Sequence, residues 1–292
     1  MAVPDHDHYG DRAMNGPRII PRRDLPGDEG ADHYFLGGHD LEMLVIRELL
    51  ERCVPGRVHD RALSWGAKAS AYGQEISRVI QNGGRAVLVE LTEDLSDSLG
   101  PRTERLVLID HHGERAGRTM PTSLEQVFGR LNRPASEWTR WMELVAANDR
   151  GHVRAMQELD ATPEELRMVR AADRRAQGIT AAEEESGRRA AFTAESHCGG
   201  RLTVVVLPHG RTATVTDALD PAMGGGGYEN LLILCPDQTY FFGGGLTIQR
   251  LSARYPGSFF GGELPLRGYW GIMQSVSVDQ FLRAAELSEN KE

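Results

Sequence analysis

Residues 105–113 read RLVLIDHHG, an apolar run that ends abruptly in an acid, two imidazoles and a glycine. Such a run, bounded by turn residues, is the pattern of a buried strand. Residues 33–37 (HYFLG), 58–65 and 85–91 (RAVLVEL) read as three earlier strands, with helical patterns between them. Residues 40–53 set Leu41, Leu44, Val45 and Leu49 at helical spacing, and residues 68–81 form a second helix closed by Asn82-Gly83-Gly84. Strands joined by helices of this length imply right-handed crossovers and a parallel sheet. The expected fold class is therefore α/β, a parallel Rossmann-like sheet joined by a helical linker to a smaller α+β unit.

Residues 1–32 are rich in Pro, Gly, Asp and Arg and read as an extended arm, with Asp5-His6-Asp7-His8 in a solvated tail. The parallel-sheet unit is placed at 33–160. Its later part, 123–157, is mainly helical and broken near Arg133-Pro134, with Ser136 as the expected cap of the second helix. Trp138 and Trp141, three apart on that helix, suggest packing. Thr162-Pro163-Glu164-Glu165 is a strong helix start. The charged run 162–195 has few large apolar residues, so 161–198 is expected to be a linker outside either core. Residues 199–292 form the α+β unit, with strands expected at 202–207, 212–217, 231–235 and 239–242 and a helix at 247–255. Gly224 to Gly227 reads as a surface loop and Gly243 to Gly245 as a turn into that helix.

Composition bounds the function. The 292 residues carry 42 acids against 33 bases, a net charge of −9, which argues against a surface for long duplex nucleic acid. No apolar run approaches the roughly 20 residues needed to cross a membrane, and the N-terminus lacks the apolar stretch of a signal peptide. The cytoplasm is the expected location. Cys53, Cys198 and Cys235 stand far apart without a CxxC, so neither a zinc knuckle nor a disulfide frame is indicated. His197-Cys198 before Gly199-Gly200 reads as a boundary loop. A small phosphorylated ligand stays compatible with the charge, and a homo-oligomer is left open.

In open parallel sheets, ligands bind beyond the carboxyl ends of the strands. Here those ends carry His39, Asp40 and Glu42, then Lys68, then Glu90, then Asp110, His111 and His112. Four polar ends on one edge point to a metal or phosphate site.

With residues 106–109 before it, Asp110-His111-His112 resembles the signature of the DHH phosphoesterase superfamily, which includes RecJ-type exonucleases, nanoRNases, cyclic-dinucleotide phosphodiesterases and family II pyrophosphatases. Three further features follow in the family's order. Asp40-Leu41-Glu42 matches the last three positions of its H-x-x-x-D-x-D motif. Glu90 matches a second-motif acid, and Asn148-Asp149-Arg150-Gly151 matches an acid that ends a helix before glycine. In the second half, Phe260-Gly261-Gly262-Glu263 stands where the family has a GGGH-type segment, followed by Arg267-Gly268-Tyr269. The resemblance covers about residues 33–271. The sequence departs at three points: Leu36 replaces the first-motif histidine, Glu42 and Glu90 replace aspartates, and Glu263 replaces the later histidine.

The resemblance implies a metal-dependent phosphoesterase acting on a small nucleotide or short oligonucleotide. Asp40, Glu42, Glu90, His111 and Asp149 would hold one or two Mn²⁺ or Mg²⁺ ions, so Asp40, Glu90, His111 and Asp149 are expected to converge on one cleft. Asp110 would orient the neighbouring imidazole, and His112 would donate to a phosphate oxygen. Lys68, at a helix N-terminus on the same edge, would add a phosphate contact. Gly261, Gly262, Glu263 and Arg267 would close over the substrate from the second unit. The rival reading is a DHH-like subunit that binds a ligand or assembles without hydrolysing it.

Overall fold

A computed structural model describes residues 30–287, so the arm and the Asp5-His6-Asp7-His8 cluster lie outside the described residues, Gly30 to Asp32 excepted. The first half is a four-stranded sheet, built from β1 (Asp32–Leu36), β2 (Val58–Asp60), β3 (Arg85–Val89) and β4 (Leu106–Ile109) in the order β2-β1-β3-β4. Every pairing is parallel. Both β1 and β3 are buried on both faces, as the near-continuous apolar run of β3 requires. Strand alternation divides their side chains between two cores. Tyr34, Leu36, Val87 and Val89 face a cluster with helices α1 (Leu41–Cys53), α4 (Ser123–Arg130) and α5 (Arg140–Gln157). Phe35, Ala86 and Leu88 face Ile76, Val79 and Ile80 of α2 (Gly73–Gln81). A short α3 (Ser96–Leu99) precedes β4.

Several boundaries differ from the sequence reading. The second strand, expected to reach 65, stops at Asp60, because the Asp60 carboxylate accepts from the Ala62 amide and turns the chain out of the sheet. The second helix begins as a 3₁₀ turn over Ala69–Tyr72. Ser136 lies in a 3₁₀ turn and caps nothing; the Thr139 hydroxyl accepts from the Met142 amide and caps α5.

The run 162–195 is not a connector outside the cores. It forms α6 (Pro163–Ala176) and α7 (Ala181–Phe192), and α6 inserts Leu166, Val169 and Ala176 into the first core. The charged residues Arg170 and Asp173 are buried with them. Sparse apolar residues on one face were enough to dock the helix, because its buried charges pair with each other. The expected helix start at Thr162 is present as a full capping box.

The second half is a mixed six-stranded sheet ordered β5-β6-β7-β8-β10-β9. Its strands are β5 (Glu195–His197), β6 (Leu202–Val206), β7 (Leu231–Leu234), β8 (Thr239–Gly244), β9 (Phe259–Gly261) and β10 (Arg267–Ile272). Helices α9 (Gly245–Arg254) and α10 (Val278–Ala285) cover one face, and α7 with α8 (Ala213–Leu219) covers the other. The expected strand at 212–217 is therefore α8. Thr212-Ala213-Thr214-Val215-Thr216 alternates like a strand, yet β6 pairs parallel with β7, and a parallel pair requires a crossover, here supplied by a helix. Among the described residues no helix is long and apolar enough to cross a membrane.

Candidate metal centre

Glu42, Glu90 and Asp149 reach one point, with Asp40 near them, each through a local device. Asp40 caps α1, its Oδ1 accepting from the Met43 amide at 2.9 Å. Two residues on, Glu42 is buried inside the first turn of that helix, and its Oε1 accepts from the Leu124 amide at the start of α4. Glu90 ends β3 in the left-handed region (φ 54°), pinned by a 2.8 Å bond from its amide to the Ile109 carbonyl. A glutamate held there stores strain, a feature of functional sites. Gly37 allows this turn, since a Cβ would fall 2.3 Å from the Glu90 carbonyl oxygen. Asp149 stands just before the point where α5 kinks at Gly151 and His152.

These side chains surround His111, which follows β4 and is buried. Its Nε2 lies 2.5 Å from Asp149 Oδ2, 3.6 Å from Glu90 Oε1 and 3.7 Å from Glu42 Oε2. None of these four buried atoms has a hydrogen-bond partner; the close approach of His111 and Asp149 lacks hydrogen-bond geometry. Ligand atoms of Glu90, His111, His112 and Asp149 lie within 4.8 Å of one another.

The electrostatics are those of acids crowded without a counter-charge. Burial, followed by the charge of Asp149, pushes Glu42 up to about 8 and Asp40 up to about 6. Burial likewise raises Asp149 to about 6, and burial with the Asp40 charge raises Glu90 well above the carboxylate range. Burial and the neighbouring His112 push His111 down to about 4, keeping a neutral imidazole with a free lone pair. Orphaned carboxylate and imidazole atoms aimed at one point are the donor set of a divalent ion such as Mn²⁺ or Mg²⁺. The residues fit the metal that the sequence motifs imply.

Asp110 and His112 form a separate pair beside it. Asp110 Oδ1 accepts from the His112 amide and faces its Nδ1, both at 3.0 Å. Burial alone would raise the Asp110 carboxyl, but these bonds from His112 hold it below its usual value. Burial alone would lower His112, but the bond to Asp110 and the charge of Asp149 raise it.

Other residues singled out in the sequence fall elsewhere. Leu36 is fully buried in the core, and His39 is exposed. Lys68 is exposed and its charge acts on Asp94. Gly261 ends β9 against the Tyr269 ring. Gly262, Glu263 and Arg267 line a cleft of about 300 Å³ with Arg150, Arg154 and Tyr269, between the α5 kink and the second sheet. Glu263 is buried against Gly151, where any Cβ would stand 2.9 Å from its side chain. Sequence reasoning missed Arg150 and Arg154, and also Trp65, whose ring lies 4.4 Å from that of His112. Its signal was a lone tryptophan in a polar loop.

No family profile and no curated protein matches the chain. Solved structures do. The DHH domain of a member of a ribosomal protein family is 14% identical, with a TM-score of 0.46, covering 88% of this chain and 86% of that one. RecJ of Thermus thermophilus, solved in complex with Mn²⁺, is 12% identical with a TM-score of 0.46, over 87% of this chain and 51% of its own. An exopolyphosphatase-related protein from Bacteroides fragilis is 11% identical with a TM-score of 0.48, over 89% and 91%. The likeness is to DHH-domain structures. At these identities it concerns the fold alone; the chemistry rests on the residues above.

Proposed function

We propose that the chain is a divergent DHH phosphoesterase that hydrolyses a phosphoester or phosphoanhydride of a small nucleotide or short oligonucleotide with Mn²⁺ or Mg²⁺. One observation carries the reading: unpartnered buried atoms of Glu42, Glu90, His111 and Asp149 meet at a single point. These four residues, with Asp40 beside them, would hold the metal. When bound, the metal lowers the pKa of a water and neutralises charge on phosphoryl oxygens. Asp110 faces the His112 ring at Nδ1 and raises its pKa, which favours the protonated imidazole that can donate to a phosphate oxygen. Arg150, Arg154 and Arg267 line the adjoining cleft and suit an anionic substrate. Lys68, exposed beside Asp94, is left out of this site.

The test is purified protein with Mn²⁺ or Mg²⁺ assayed against dinucleotides, cyclic dinucleotides and pyrophosphate, beside His111→Ala and Asp149→Ala. Turnover that is metal-dependent and lost in both variants is expected. Activity surviving both would place the chemistry elsewhere. Because Leu36, where the resembled family has histidine, offers no ligand from the core, a second outcome is defined. No turnover together with no bound metal by elemental analysis would favour a ligand-binding or assembly subunit.

A further inference from the structure

Four tryptophans occur in the chain, and three of them pack inside. Trp138 and Trp270 are 4% and 0% exposed, and Trp141 packs against the first core. Trp65 is 45% exposed, on the loop after β2 at the mouth of the acid-imidazole cluster. It is nevertheless held. Its indole Nε1 donates to Asp40 Oδ2 at 3.4 Å, and its ring meets His112 edge-on at 4.4 Å between centroids. Phe259 and Tyr269 of the second sheet stand 6.1 and 6.3 Å away, so aromatic rings from both halves border the same opening.

An indole costs free energy when left in water, and here it is fixed beside two groups assigned to the reaction. Its surroundings decide what would cover it. Asp40, Asp110 and His112 are polar and partly accessible, so an alkyl chain would strip water from charged groups without replacing their bonds. A planar heteroaromatic ring can stack on the indole while keeping its polar edge in water. We infer that Trp65, with Phe259 and Tyr269, is the stacking platform for the base of a nucleoside phosphate whose phosphate sits at His112. This rests on the phosphoesterase reading and sets its substrate class: the leaving or retained group carries a base, so bare pyrophosphate is a poor ligand.

The test reads binding, without turnover. Adenosine 5′-monophosphate and ribose 5-phosphate share sugar and phosphate and differ by the base. Each is titrated into the full chain with Mg²⁺, followed by tryptophan fluorescence and calorimetry. The base should tighten binding about tenfold or more, the scale of one base–aromatic stack, and quench the exposed indole. Trp65→Ala should collapse the ratio of the two affinities toward one, a readout unaffected by any change common to both ligands, and Trp65→Phe should keep most of that ratio. Equal affinity for the two ligands in the unaltered protein, an advantage that survives Trp65→Ala, or failure to bind the monophosphate overturns the inference. So does tighter binding of choline phosphate, which would mark the indole as a cation site. Nucleotide binding that depends on Trp65 without any hydrolysis would sink the phosphoesterase reading alone.

Discussion

Adjacent residues of α5, Asn148 and Asp149, open onto two buried polar clusters of opposite character. Asn148 accepts from Arg170 Nη1 at 2.9 Å. That guanidinium, fully buried, also donates to Asp173 at 2.8 Å and to Asp217 of α8 at 2.8 Å, and Arg174 pairs with the same Asp217. Asp149 instead joins Glu42, Glu90 and His111, where acids outnumber cations and facing atoms are left unpartnered. Burial is similar in the two; charge balance differs. A charge-balanced network specifies how α5, α6 and α8 meet, whereas the acid-rich one costs stability until a cation arrives.

That contrast breaks most sharply on Arg170→Met. It leaves Asp173 and Asp217 buried without their counter-ion and should cost about 3–5 kcal/mol in urea denaturation. Asp149→Asn in metal-free protein should leave stability equal or higher, because it deletes a carboxylate whose ionisation burial opposes. A larger loss for Asp149→Asn than for Arg170→Met would invert the assignment. Next in size is the metal. Mn²⁺ at a hundredfold its dissociation constant should stabilise the protein by about 2.7 kcal/mol, read from the unfolding midpoint. His111→Ala should erase that gain, and Lys68→Ala should not.

Acid should act on the Arg170 side through His152. This imidazole lies in the kink of α5 (φ 53°), and burial, then the Arg170 charge, push it down to about 4. The unfolded chain takes up its proton first, near 6.5, so stability is full above that value and falls as pH drops toward 4. The loss attributable to His152 should be on the order of 3 kcal/mol, and the difference between the unaltered protein and His152→Asn isolates it from His111. The smallest expected effect is a cap. Thr139→Ala should cost about 1 kcal/mol by freeing the amide of Met142, and Ser136→Ala almost nothing. Since α5 carries both Asn148 and Asp149, the Thr139 loss should be the same with and without metal.

Much of the first half was legible because its signals are local. The apolar runs of β1, β3 and β4 and the amphipathic α1 follow from side-chain period, and the polar residues that end them follow from where apolar character stops. The glycine-rich second half was less so. Residues 259–261 and 267–272 form β9 and β10 with glycines where an alternating pattern would be read, because pairing with β8 and between themselves supplies what propensity does not.

By itself the sequence determined a parallel α/β sheet with acids and imidazoles at its strand ends, because strand period and chain breaks are encoded residue by residue. Three matters were decided only in three dimensions. Residues 212–217 became a helix because β6 and β7 run parallel. The charged α6 entered the core because Arg170 found Asp173, Asn148 and Asp217. Among the strand-end residues, Glu42, Glu90, His111 and Asp149 meet while Lys68 and His39 face solvent. Each of these turns on a partner far along the chain, and no local pattern of side chains records which partner that is.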